Sequence, residues 1–111
     1  MQKTNGMNNV GLTATECSKL KSVLAAHPNV CRAIVYGSRA KGTNRRFSDV
    51  DMTLVGSSLA LRDLNSIAQD IDDLLLPYEF DLSLYSSLKN EALIDHIKRV
   101  GVVIYDSETS K

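Results

Sequence analysis

The chain has 111 residues with 13 basic and 13 acidic side chains, so its formal net charge at neutral pH is zero. That length sustains one hydrophobic core but not two, and the even charge argues against a general nucleic-acid binder. No apolar run approaches the roughly 18 residues that span a bilayer, the N-terminus lacks a secretory signal's apolar segment, and Cys17 and Cys31 have no metal-ligand spacing, so a reducing cytoplasm is the expected setting.

Residues 1–11 are polar and rich in Asn and Gly, which predicts a flexible arm. The folded domain is expected over 12–105, with a polar tail over 106–111. Thr13 to Glu16 reads as a capping box that starts the first helix. Cys17, Leu20, Val23 and Leu24 form its apolar stripe, and His27-Pro28-Asn29 ends it, with His27 exposed at the helix end. Cys31 to Tyr36 is a buried strand, and Tyr36 should pack at its end. A break at Gly37-Ser38 leads into a small basic turn, then a loop over 42–47 whose tip holds Arg45 and Arg46. A second strand opens with Ser48-Asp49-Val50-Asp51.

Gly56-Ser57-Ser58 closes that strand, and either serine can cap the next helix. Leu61, Leu64, Ala68, Ile71 and Leu75 recur at spacings of three and four, an amphipathic helix stopped by Pro77. Asp70, Asp72 and Asp73 form its solvated face. Tyr78 to Tyr85 alternates as a strand, with Phe80, Leu82 and Leu84 toward the core and Asp81, Ser83 and Tyr85 opposite. Ser86 and Ser87 open a last helix buried through Leu88, Ala92, Leu93, Ile97 and Val100, with His96 on its surface or facing a partner. Gly101 stops it, and Val102 to Tyr105 is a short strand. The order predicts an α+β fold, a mixed β-sheet of about four strands backed by helices on one side.

Chemistry concentrates between Gly37 and Asp51. Glycine lets the backbone turn sharply and approach a ligand. Ser38 can cap the following turn, whose free N–H groups suit an anion, and Arg39 and Lys41 add positive charge that can grip phosphate. Asp49 and Asp51 fall on one face of the second strand, roughly 7 Å apart. Two such carboxylates repel unless a cation sits between them, and hard oxygen ligands suit Mg²⁺ or Mn²⁺. An aspartate at position 81, inside an apolar strand, is costly unless paired or metal-bound. The pair Arg45 and Arg46 reads either as a solvated loop tip or as a contact with triphosphate or acceptor.

Gly37-Ser38, ten further residues, then Asp49-Val50-Asp51 resembles the signature of the polymerase β-like nucleotidyltransferase superfamily. The Gly-Ser-Arg-Ala-Lys-Gly form in so short a chain is most similar to the minimal nucleotidyltransferase (MNT) group. The resemblance runs from about Cys31 to Tyr105, with Met52 where Leu is usual and Lys41 where Arg is common. It implies a palm-like nucleotidyltransferase fold and transfer of a nucleoside monophosphate, with ATP the expected donor. Asp49, Asp51 and Asp81 would then be the catalytic, metal-holding carboxylates for two Mg²⁺ ions, with Mn²⁺ as a substitute. Gly37, Ser38, Arg39 and Lys41 would bind the nucleotide. The same resemblance implies a helical HEPN-type partner, modified at a tyrosine, with this chain as antitoxin in a homo- or hetero-oligomer; the lack of a long apolar run and the even charge leave neither membrane nor nucleic acid as an expected partner. Two alternatives stand beside it: a non-catalytic module that occludes its partner, and a small-molecule transferase of the aminoglycoside type, which normally needs a further domain for its acceptor.

Overall fold

The computed structural model describes residues 10–37 and 49–108. Helix α1 (Ala14–Ala25) starts on the capping box: Thr13 N–H donates to Glu16 Oε1 at 2.9 Å, and Glu16 N–H donates to Thr13 Oγ1 at 3.1 Å. Strand β1 (Arg32–Tyr36) follows, then β2 (Val50–Val55), α2 (Leu61–Asp72), β3 (Phe80–Leu84), a 3₁₀ turn (Tyr85–Ser87), α3 (Glu91–Val100) and β4 (Val102–Asp106). The sheet order is β3-β2-β1-β4. β1 runs antiparallel to both β2 and β4, whereas β2 and β3 are parallel, so the sheet is mixed.

Alternation divides the sheet into two unlike faces. Ala33, Val35, Val50, Met52, Leu54 and Ile104 point to the main core, where they join Leu20 and Leu24 of α1 and Ile67 and Ile71 of α2. Val10 belongs to this core with 0% exposure, although its neighbours in the sequence are polar. The opposite face carries Ile34, Tyr36, Asp51, Thr53, Asp81 and Ser83, and α3 lies against it. A Cβ on Gly101 would come within 2.6 Å of Ile34 Cγ2, so glycine there admits the helix end to the sheet. Helices therefore cover both faces, not one as the sequence predicts, because the stripe of α3 finds its apolar partner at Ile34.

Local corrections follow the same logic. Neither Ser57 nor Ser58 caps α2; Ala60 sits at the N-cap, and its N–H donates to Asp63 Oδ2 at 2.8 Å. The buried stripe is Ile67 and Ile71 with Leu64 and Leu74 beside them, while Leu61 is 64% and Leu75 87% exposed. α2 ends at Asp72, five positions before Pro77, and Leu75 turns the chain with φ of 58°. Asn90 rather than a serine caps α3, its Oδ1 accepting from Leu93 N–H at 3.1 Å. His27 and Asp70 are not solvated separately, since His27 Nε2 and Asp70 Oδ2 lie 2.7 Å apart and join the end of α1 to α2. No described helix is long and apolar enough to cross a membrane.

Candidate active site

The pairing registers bring three residues into one row: Tyr36 faces Asp51 across β1 and β2, and Asp51 faces Asp81 across β2 and β3. All three share the sheet face that α3 leaves partly open. The next row along the strands is Ile34, Thr53 and Ser83. There Ser83 Oγ donates to Thr53 Oγ1 at 3.0 Å, and the Thr53 hydroxyl donates to Ser83 O at 3.4 Å. Thr53 is fully buried, so this bond satisfies a hydroxyl that would otherwise be costly. It also ties β2 to β3 directly beneath the carboxylates.

Asp49 stands one residue before β2 and is exposed, while Asp51 is half-buried. Burial, then the charges of Asp81 and Asp49, push the Asp51 carboxyl above its ordinary value, against an opposing effect from His96. The Tyr36 phenol is pushed up as well, chiefly by burial, with Asp51 and Asp81 adding and a side-chain hydrogen bond with Ser83 opposing. Asp81 itself is exposed on an edge strand, so desolvation does not explain its presence there. The cost argument that singles it out in the sequence fails; its register opposite Asp51 is what brings it to the site.

Gly37 follows β1 with φ of +79°, in the left-handed region that favours glycine. A Cβ at this position would lie 2.5 Å from Asp51 Oδ2. The sharp turn is as the sequence predicts, and the close approach found here is to the Asp51 carboxylate. Ser38, Arg39, Lys41, Arg45 and Arg46 lie outside the described residues. Tyr85 is half-buried at the 3₁₀ turn, lining a cavity of about 340 Å³ with Ile34, Val55, Ile97 and Val103.

His96 is the residue that sequence reasoning missed. It does not face away: Gly37 N–H donates to its Nε2 at 3.1 Å, and its ring meets Tyr36 edge-on with centroids 6.2 Å apart. The signal was present, because Leu93, His96, Ile97 and Val100 fall at spacings of three and four on one side of α3.

Hard carboxylate oxygens suit a divalent cation, and the mutual repulsion at Asp51 is what such an ion would relieve. Among the described residues no ion pair involves Asp49, Asp51 or Asp81. Nor do any three His, Cys, Asp or Glu side chains among them stand together as a ready metal cage. The residues fit a metal by donor type and by charge.

A family model described as "Polymerase beta, Nucleotidyltransferase" matches residues 18–110. The chain belongs to this nucleotidyltransferase family. Its fold is shared with solved structures: a toxin–antitoxin crystal structure with AMP-PNP superposes with a TM-score of 0.67 at 21% identity, over 85% of this chain and 76% of that one. A complex of tri-AMPylated Shewanella oneidensis HEPN toxin with MNT antitoxin gives 0.62 at 16% identity, over 86% and 74%. A nucleotidyltransferase structure from Sulfolobus solfataricus, described there as putative, gives 0.53 at 16% identity, over 97% and 92%. No curated protein matches the chain. The mixed four-stranded sheet with its three described helices is thus the nucleotidyltransferase fold, and MNT antitoxins solved with HEPN toxins are among its structural neighbours.

Proposed function

We propose that this nucleotidyltransferase moves AMP from ATP to a tyrosine hydroxyl of a HEPN-type helical toxin and so acts as its antitoxin. The observation that carries the reading is the row of Asp51 and Asp81, in register on one open sheet face with Asp49 close enough to perturb Asp51. Asp49, Asp51 and Asp81 would hold Mg²⁺, or Mn²⁺ in its place. Divalent cations bound there would supply Lewis-acid polarisation of the phosphates and make the acceptor hydroxyl easier to ionise.

The chain's own residues divide the remaining work. The Gly37 turn, with Ser38, Arg39 and Lys41 of the sequence motif, grips the triphosphate. Asp81, exposed at the sheet edge, is open to an incoming hydroxyl and accepts its proton. The acceptor oxygen bonds to the α-phosphorus as the bond to the bridging oxygen breaks, and pyrophosphate leaves. Orientation of the acceptor hydroxyl contributes several orders of magnitude in rate. A macromolecular partner that brings its own tyrosine supplies it.

The test is mass spectrometry of a HEPN partner incubated with the chain, Mg²⁺ and ATP. AMP should appear on a partner tyrosine with the parent chain and be absent with Asp81→Asn. A tight complex with no AMP added, unchanged by Asp81→Asn, would establish occlusion instead.

A further inference from the structure

His96 lies outside the sequence motif, yet it makes contacts that few half-buried helix residues make. Its Nε2 accepts the Gly37 N–H at 3.1 Å, and its ring packs on Tyr36 with planes 80° apart. The glycine at 37 permits a left-handed turn but does not enforce it, since glycine visits both signs of φ about equally. Restraint has to come from outside the turn. α3 can provide it, because Ile97 is buried and Gly101 abuts Ile34 on the same sheet face.

We infer that His96 is a positioning residue: its Nε2 fixes the Gly37 turn beside the Asp51 carboxylate, so that α3 sets the geometry in which the nucleoside triphosphate is gripped. The inference rests on the proposed nucleotidyl transfer and deepens it. It makes a helix distant in sequence part of the nucleotide site, without any contact between His96 and the nucleotide. A histidine that merely fills space beside Tyr36 would affect stability and leave nucleotide affinity alone.

Two substitutions separate these roles in the full chain. Gln and Asn are both uncharged and polar, but the Gln amide reaches as far as Nε2 while the Asn amide ends near Nδ1. ATP with Mn²⁺ is titrated into the parent, His96→Gln and His96→Asn, and the Gly37 amide is followed by ¹⁵N-resolved NMR. His96→Asn should shift the Gly37 amide proton upfield and weaken ATP binding about tenfold, the size of one lost hydrogen bond, while His96→Gln stays within about threefold. His96→Phe keeps the ring on Tyr36 without an acceptor and should match His96→Asn, which secures the comparison if the Asn variant does not fold. If the parent binds ATP and the Asn and Phe variants bind it equally well, the inference alone is overturned. It is overturned also if His96→Gln loses as much as the other two, because the ring and not its acceptor would then matter. A parent that binds no ATP defeats nucleotidyl transfer itself, and this inference with it.

Discussion

Asp51 carries a conflict that the fold does not resolve by itself. Its carboxyl is pushed up by burial first and by Asp81 and Asp49 next, so the folded chain holds that proton to a higher pH than the unfolded chain does. As pH rises past about 4, the unfolded chain ionises first and gains relative to the folded one. This residue therefore subtracts stability at neutral pH and subtracts nothing in strong acid. Asp51→Asn should raise the melting temperature of the metal-free protein at pH 7, with the gain vanishing below about pH 4. The same variant should lose transfer activity by orders of magnitude. A variant that melts below the parent at pH 7 would mark Asp51 as part of the scaffold.

Among the elements, α2 shows a stability cost that can be removed. Leu75, just past the helix, is 87% exposed and held at φ of 58°. A left-handed backbone costs a non-glycine residue about 1–2 kcal/mol, and an exposed Leu recovers none of it through packing. Leu75→Gly should raise the melting temperature by a few degrees, since part of the relief is offset by the freer unfolded glycine. An unchanged or lower melting point would show that the turn is not strained. The same stretch shows where the sequence is legible. The capping box of α1 and the alternation in β3 are local patterns, and each is found as read. In α2, Leu64 and Ile71 pack as the period predicts, but Leu61, Ala68 and Leu75 are exposed; they match the period as well as Ile67 does, and only the packed sheet decides among them. The His27–Asp70 pair spans 43 residues and the Gly37–His96 bond spans 59; a helix period can place His96 on the buried side but cannot name a partner that far away.

At the scale of the molecule, the carboxylates should make ligand binding and stability one measurement. Mn²⁺ with ATP at a hundredfold excess over Kd should raise the melting temperature by about 10 °C or more, and a chelator should reverse it. No shift at millimolar Mn²⁺ and ATP would defeat the metal assignment. The parallel pairing of β2 with β3 has a further consequence, in time rather than in space. β1 pairs with β2 as antiparallel neighbours, but Thr53 and Ser83 are 30 residues apart, and β3 can reach β2 only after the chain has returned along α2. Closing such a long-range pairing is slow compared with pairing sequence neighbours. Pulse-labelled hydrogen exchange during refolding should find the β1 and β2 amides protected before those of β3. Asp51 is then set in a sheet while Asp81 is still unplaced, and if the two act together as proposed, a chain emerging from the ribosome would stay silent until its third strand has docked.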